Sequence, residues 1–257
     1  MIPGKLLGPG GVGITRRSVA KQAPRFLLLA VGAYLFLLTS VCLWERIFFD
    51  CLSREVGALG SPLAGKLIVV DPGHGGPDPG VVRGGVREKD ITLAVAQRLS
   101  HFLRQAGAEV VMTREKDRDL ADPDLWDMKE RKRQDLERRI ALANRLRADA
   151  FLSLHVNSFE EADEYGAQTF YQAGSEESRR LAEAIQQELQ FLLGNTERLP
   201  KAGDYLVGRL ARMPAVVVEI GFLTHPEEKR LLQDPAYQSK VAFAVYAGLA
   251  RFFAQGR

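Results

Sequence analysis

Continuous apolar runs alternate with amphipathic stretches from residue 66 to the end of the chain. The apolar runs predict buried strands at 67–71, 109–113, 150–155 and 214–220, with a further strand at 167–171. Apolar residues at helical spacing predict helices at 90–106, 136–146, 176–193, 226–233 and 235–254. This alternation predicts a single α/β domain: one open, mostly parallel sheet with helices on both faces.

An uncharged apolar run occupies residues 26–44. As a helix it would be about 28 Å long, close to the roughly 30 Å of a bilayer's hydrocarbon core. Five basic residues and no acidic residue precede it. The positive-inside rule therefore predicts a single-pass membrane protein with a cytoplasmic N-terminus and an extracytoplasmic main domain.

Two other interpretations of this run remain open. A cleaved signal peptide would have a shorter apolar region and a small-x-small cleavage site, whereas Cys42-Leu-Trp-Glu-Arg46 offers no good site. A buried core helix is the third interpretation. The expected organisation is a basic tail at 1–25, a transmembrane anchor at 26–44, a linker at 45–65 and the folded domain at 66–257.

Composition excludes several kinds of chemistry. The chain of 257 residues is 46% hydrophobic, enough for a full core, and its net charge is only +3. Both cysteines, Cys42 and Cys51, precede the domain, so it cannot use a catalytic thiolate or a cysteine-bound metal. The basic residues of 129–139 alternate with acidic ones, which indicates a solvated helix face, and no nucleic-acid partner is expected.

Three chemically active side chains fall at the ends of predicted strands. His74 follows the run at 67–71, His155 ends the run at 150–155, and Glu219 is the second-to-last residue of the run at 214–220. Glu88 comes shortly after His74. Ligands of open α/β sheets bind at the carboxyl ends of the strands. Two imidazoles and one carboxylate form a catalytic zinc site with an open position, and a second glutamate can transfer protons.

Each of these residues also has a structural interpretation. His74, in Asp-Pro-Gly-His-Gly-Gly, could be a satisfied structural histidine, and His155 could be a buried neutral imidazole with another partner. The local context of Glu88 favours an ordinary carboxylate at a helix N-terminus. Glu219 is the most informative, because its apolar strand would bury an unpaired carboxylate at a cost of about several kcal/mol. A metal-activated water would be a partner for it.

Other polar residues are expected to have supporting roles. His101 is predicted to be a packing or surface residue, and His225 a helix cap or turn residue before Pro226. Asp71 and Asp78 are expected to support ligands or turns. Asn157 could bond substrate or a ligand, or simply shape a turn.

Four motifs in order, VDPGHGG, REKD, SLHVNS and VVEIGFLTHPEE, resemble those of the zinc-dependent N-acetylmuramoyl-L-alanine amidases of the Amidase_3 family. The resemblance runs from about residue 66 to 253. It implies that His74, Glu88 and His155 bind Zn²⁺ and that Glu219 is the catalytic acid and base. The implied reaction is hydrolysis of the amide between N-acetylmuramic acid and the L-alanine of peptidoglycan. Pro79 and His225 depart from the usual pattern without affecting this chemistry.

Within the family, the single anchor and the lack of wall-binding repeats are most similar to the CwlD-type amidases of the spore cortex. Activating protein partners are common in the family, and the charged segment 116–135 is a candidate contact for one. Two other functions compete with the amidase: a catalytically silent, membrane-anchored wall-binding protein, and a different zinc hydrolase acting on peptidoglycan.

Overall fold

The computed structural model describes Thr39 and residues 61–160 and 163–256. The predicted tail, the predicted anchor except Thr39, and residues 45–60 of the predicted linker lie outside the described residues. No helix within the described part combines the length and apolar character needed to cross a membrane. The residues from 60 onward form one compact unit.

Eight strands and six helices are found among the described residues. The strands are β1 (Leu67–Pro72), β2 (Val82–Arg83), β3 (Val86–Arg87), β4 (Glu109–Met112), β5 (Ala150–Asn157), β6 (Gln168–Tyr171), β7 (Lys201–Ala202) and β8 (Ala215–Phe222). The helices are α1 (Glu88–Gln105), α2 (Met128–Leu146), α3 (Glu176–Leu193), α4 (Leu206–Leu210), α5 (Pro226–Leu232) and α6 (Pro235–Ala254).

Six strands form one sheet in the order β4-β1-β5-β8-β6-β7. Strands β4, β1, β5 and β8 pair in parallel. Strand β6 runs antiparallel to β8, and β7 is parallel to β6. The predicted open, mostly parallel sheet is thus confirmed. Strands β2 and β3 form a separate hairpin.

Helices cover both faces of the sheet, as predicted. Helices α1, α3 and α6 enclose the larger core, and α2 and α4 cover the other face over a smaller one. Successive strand residues alternate between the two cores, so Val69, Phe151 and Val217 face the smaller one. Two residues further along each strand, at the carboxyl end, the same face presents Asp71, Ser153 and Glu219.

Helix α2 begins at Met128, although helical spacing was expected only from residue 136. The Asp127 side chain caps this helix by accepting a hydrogen bond from the Glu130 backbone N–H (2.7 Å). Arg133 forms ion pairs with Glu130 and Glu137 on the exposed surface of the first turns. These turns expose charged residues to solvent, so they lack the apolar periodicity on which the prediction depended.

Candidate metal centre and active site

The loop after β1 carries His74 in a backbone conformation that two buried arginines stabilise. His74 has a φ of 62°, in the left-handed region that non-glycine residues seldom adopt. Arg139 donates to the carbonyls of Pro72 and His74, both at 2.7 Å. Arg114 donates to the carbonyls of Pro72 (3.0 Å) and Gly73 (2.9 Å). Every carbonyl from 72 to 74 is therefore satisfied by a guanidinium group.

A buried ion pair anchors this arrangement to the sheet. Asp71 accepts from Arg139 (2.8 Å), Thr113 (2.6 Å) and Ser153 (2.7 Å). Burial raises the pKa of Asp71, but Arg139 and the two hydroxyl groups outweigh burial and lower it. Asp71 is thus a supporting residue of the loop, as predicted.

The prediction that 129–139 forms a solvated face is wrong for Arg139, which is only 2% exposed. Arg139 shares the inward side of α2 with Asp135, Ile140 and Ala143. Its charge can be buried because Asp71, Asp135 and two loop carbonyls surround it. Sequence reasoning also missed Arg114, although an arginine two residues after the end of strand β4, at the carboxyl edge of the sheet, was a usable signal.

His74, Glu88 and His155 meet at the carboxyl end of the sheet. The Glu88 Oε1 atom lies 3.1 Å from His74 Nε2 and 3.1 Å from His155 Nδ1. Nitrogen and oxygen atoms of the three side chains that could bind a metal all lie within 4.8 Å of one another. The structure therefore brings together the three residues that the sequence marked as metal ligands.

Glu88 is the first residue of α1, so it is also the helix N-terminal carboxylate that its local sequence indicated. Its carboxylate nevertheless points inward, where it accepts from the backbone N–H groups of Val81 and Val156, both at 2.9 Å. Burial raises the pKa of Glu88, but its interactions with His155 and His74 outweigh burial, so the pKa lies well below its usual value. The carboxylate is thus held ionised and oriented between the two imidazoles.

Asp78 orients His74 from the other side of the ring. Its Oδ2 lies 2.7 Å from His74 Nδ1, and its Oδ1 lies 2.8 Å from Lys132 Nζ. A carboxylate on the far ring nitrogen is the usual support for a metal-binding histidine. Burial lowers the pKa of His74, but Asp78 and Glu88 raise it to about 9. Metal binding requires the neutral ring, so it would release a proton.

Two glycines leave the space that the cluster occupies. A Cβ at Gly73 would overlap the His155 ring. A Cβ at Gly80 would lie 2.5 Å from Glu88 Oε2 and 2.7 Å from His74 Cδ2, and Gly80 also has a φ of 66°. Neither position can carry a larger side chain unless a candidate ligand moves.

Glu219 lies directly across from His155 in the parallel pairing of β5 with β8. Its Oε2 atom is buried and has no hydrogen-bond partner among the described residues. Burial and the nearby Glu88 carboxylate raise the pKa of Glu219, and the two histidines lower it. Burial is the largest of these effects, so the pKa rises to about 7. A carboxyl group with this pKa can both accept and donate a proton near neutral pH.

The remaining candidates have the minor roles expected of them. His225 caps α5, its Nδ1 accepting from the Glu228 backbone N–H at 3.3 Å. His101 is exposed on α1. Asn157 Oδ1 accepts from the Ser158 backbone N–H at 2.8 Å, which supports the turn role for that residue.

A two-histidine, one-carboxylate cluster beside a carboxyl group of raised pKa, at the carboxyl edge of a parallel sheet, is an arrangement typical of metal-dependent hydrolases. Residues 68–251 match the model of the Amidase_3 family, described as N-acetylmuramoyl-L-alanine amidase. The chain belongs to this family, which confirms the resemblance found in its motifs and the enzyme class.

Several relatives share most of the domain. The chain is 43% identical over 196 residues to the germination-specific N-acetylmuramoyl-L-alanine amidase of Bacillus subtilis, covering 76% of this chain and 82% of that protein. It also resembles the structure of the CwlD amidase from Clostridioides difficile in complex with the GerS lipoprotein, at 34% identity and a TM-score of 0.73, covering 74% of this chain and all of that one. The catalytic domain of the amidase CwlV from Bacillus (Paenibacillus) polymyxa is 31% identical, with a TM-score of 0.65 and coverage of 74% and 98%.

Proposed function

We propose that this amidase is a zinc enzyme anchored in the membrane that cleaves the bond between N-acetylmuramic acid and L-alanine in peptidoglycan. The observation that carries the proposal is the cluster of His74, Glu88 and His155 beside Glu219, whose buried Oε2 has no partner among the described residues. A buried carboxylate oxygen without a partner is costly, so this atom indicates a partner that arrives with metal or substrate.

The residues at this site fit zinc. Two imidazole nitrogens and one carboxylate converge, His74 has the orienting carboxylate of Asp78, and three ligands leave one position open. We assign His74, Glu88 and His155 as the residues that hold the ion. When bound, zinc would act as a Lewis acid toward the scissile carbonyl and toward water.

Glu219 carries out the proton transfers in the proposed mechanism. Its carboxylate accepts a proton from the attacking water and delivers it to the nitrogen of the leaving L-alanine. A pKa of about 7 makes both protonation states accessible at neutral pH. The buried arginines Arg114 and Arg139 keep His74 in place during the reaction, because they hold the carbonyls of its loop.

The proposed location follows from the chemistry of the substrate and from the N-terminal sequence. Peptidoglycan lies outside the cytoplasmic membrane, so its amidase must be exported. The apolar run 26–44 and the basic residues before it support an uncleaved anchor, with the tail 1–25 in the cytoplasm. In this proposal, the linker 45–65 connects the anchor to a catalytic domain at 66–257.

The relatives named above support a biological setting and a protein partner for this chain. A germination-specific relative favours action on spore-cortex peptidoglycan. The C. difficile amidase was solved with a lipoprotein, so we propose that this chain also works with an activating protein. The charged segment 116–135 stays a prediction for that contact.

The test is digestion of purified peptidoglycan by the full chain in detergent, followed by mass spectrometry. We expect free stem peptides that begin with L-alanine and glycan strands with unsubstituted lactyl groups. Activity should disappear with EDTA and return with zinc, and Glu219→Gln serves as the inactive control. Zinc binding without any cleavage would favour the silent wall-binding alternative or an obligatory activating protein, and cleavage at another bond would favour a different hydrolase.

A further inference from the structure

Two helices, α2 and α4, pack on the face of the sheet that presents Asp71, Ser153 and Glu219. Helices α2 and α4 are joined near their C-terminal ends, where Asn144 Nδ2 donates to the Leu210 carbonyl at 2.9 Å. At the other end of α2, Lys132 contacts Asp78 beside His74 and lines the cleft that contains His74 and His155. Tyr205 is the N-cap residue of α4, immediately before Leu206.

The strand pairing locates Tyr205 relative to Glu219. In the antiparallel pair of β6 with β8, Phe170 lies opposite Val217 and Gln168 lies opposite Glu219. The Tyr205 ring packs on Phe170, with ring centroids 5.5 Å apart. Tyr205 therefore lies over the row of side chains that leads to Glu219. Burial and the nearby Glu219 carboxylate both raise the pKa of Tyr205, which agrees with this position.

A glycine makes room for the ring. A Cβ at Gly203 would overlap the edge of the Tyr205 ring. Tyr205 is 36% exposed, and within the described part of the chain its hydroxyl has no hydrogen-bond partner. The Tyr205 ring is thus packed on an apolar neighbour, while its hydroxyl stays available near the Glu219 carboxyl group. Such a side chain suits contact with a ligand that has both apolar and polar parts.

We infer that Tyr205 is a substrate-binding residue, whose ring forms the Glu219 side of the cleft and whose hydroxyl donates to an amide carbonyl of the muramoyl peptide. This inference rests on the proposed function, because the ligand is the substrate of that reaction. Several amide carbonyls border the scissile bond in such a substrate. The hydroxyl would bind one of them while Glu219 is left to transfer protons.

The test measures binding apart from turnover. The full chain carrying Glu219→Gln, loaded with zinc in detergent, is titrated calorimetrically with N-acetylmuramoyl-L-alanyl-D-isoglutamine. Adding Tyr205→Phe keeps the ring and removes only the hydroxyl, so we expect affinity to fall about twofold to tenfold, the range of one hydrogen bond. Gly203→Ala should weaken binding as well, because it displaces the ring. Zinc content and the melting temperature should not change in Tyr205→Phe.

Tyr246→Phe is the matched control, since Tyr246 lies on α6 over the opposite face, packed on Phe102 and Phe243. Equal affinity of the Tyr205→Phe protein and its parent would overturn the inference, and so would an equal loss in the control. In the active enzyme, Tyr205→Phe should raise KM more than it lowers kcat. If unmodified protein cleaves no peptidoglycan even with its activating protein present, the proposed function has failed; if it cleaves and Tyr205→Phe has no effect on binding, only this inference has failed.

Discussion

Replacing Asp71 with asparagine tests whether the buried ion pair holds the metal-site loop in place. Asp71 and Arg139 are 1% and 2% exposed, and their charged atoms lie 2.8 Å apart. Asparagine keeps the size of the side chain but removes its charge. One amide oxygen and one NH₂ group must then replace two acceptors that now serve Arg139, Thr113 and Ser153.

The expected loss can be bounded from the partners that remain. Removing one member of a buried pair typically costs about 3–5 kcal/mol. Arg139 would keep Asp135 and the carbonyls of Pro72 and His74, so we expect the lower end, about 3 kcal/mol. For a domain of this size that loss lowers the melting temperature by about 6–12 °C.

Urea unfolding of the purified chain measures the effect, with Asp90→Asn as the control. Asp90 also forms an ion pair at 2.7 Å, with Arg87, but both side chains are about half exposed. Such a surface pair contributes roughly 0–1 kcal/mol. The control should therefore unfold almost like the parent protein.

The pH dependence gives a second readout with a defined sign. The pKa of Asp71 is lower in the folded protein than in the unfolded chain, so its stabilisation is complete above about pH 4, the unfolded pKa. It is lost as the pH falls through the folded pKa, because the protonated carboxyl group then resembles asparagine. The gap between parent and Asp71→Asn should be constant from pH 7 to 5 and narrow below 4. A loss below about 1 kcal/mol, or a gap that widens in acid, would refute the reasoning.

Three further predictions concern the cluster itself. Glu219→Gln should lower kcat by about 10²–10⁴ while zinc content by mass spectrometry stays the same; near-normal turnover would remove Glu219 from the mechanism. His155→Ala should reduce zinc stoichiometry, and an unchanged metal content would show that the ligand assignment is wrong. Gly80→Ala should weaken zinc binding because its Cβ would lie 2.5 Å from Glu88 Oε2. Gly84→Ala is its control: φ is 60°, but the nearest atom, Lys229 Nζ, is 3.6 Å away, so equal zinc loss in both would point to backbone strain alone.

Much of the fold and the positions of the candidate ligands were predictable from local pattern. Continuous apolar runs marked β1, β5 and β8, and amphipathic spacing marked α3 and α6 with their observed ends. Polar residues at the ends of such strands had to meet at one edge, because parallel strands share their carboxyl ends. That rule brought His74, His155 and Glu219 together before any contact was known.

Shorter elements could not be predicted in this way. The hairpin of β2 with β3 and the edge strand β7 have two residues per strand, too few for any periodicity. The first turns of α2 are charged on their exposed side, which hides the helical pattern.

Hydropathy along the chain determined which segments are buried and which few residues could carry the chemistry. Only the tertiary structure determined which groups, distant in the sequence, neutralise a buried charge or pack against one another. Arg139 can be buried because Asp71, far away in the sequence, and two loop carbonyls join Asp135 around its charge. Tyr205 packs on Phe170, which the pairing of β6 with β8 places opposite Val217, two residues before Glu219. The burial of a charge and the assembly of a cleft depend on contacts between separate elements, and no local pattern encodes which elements meet.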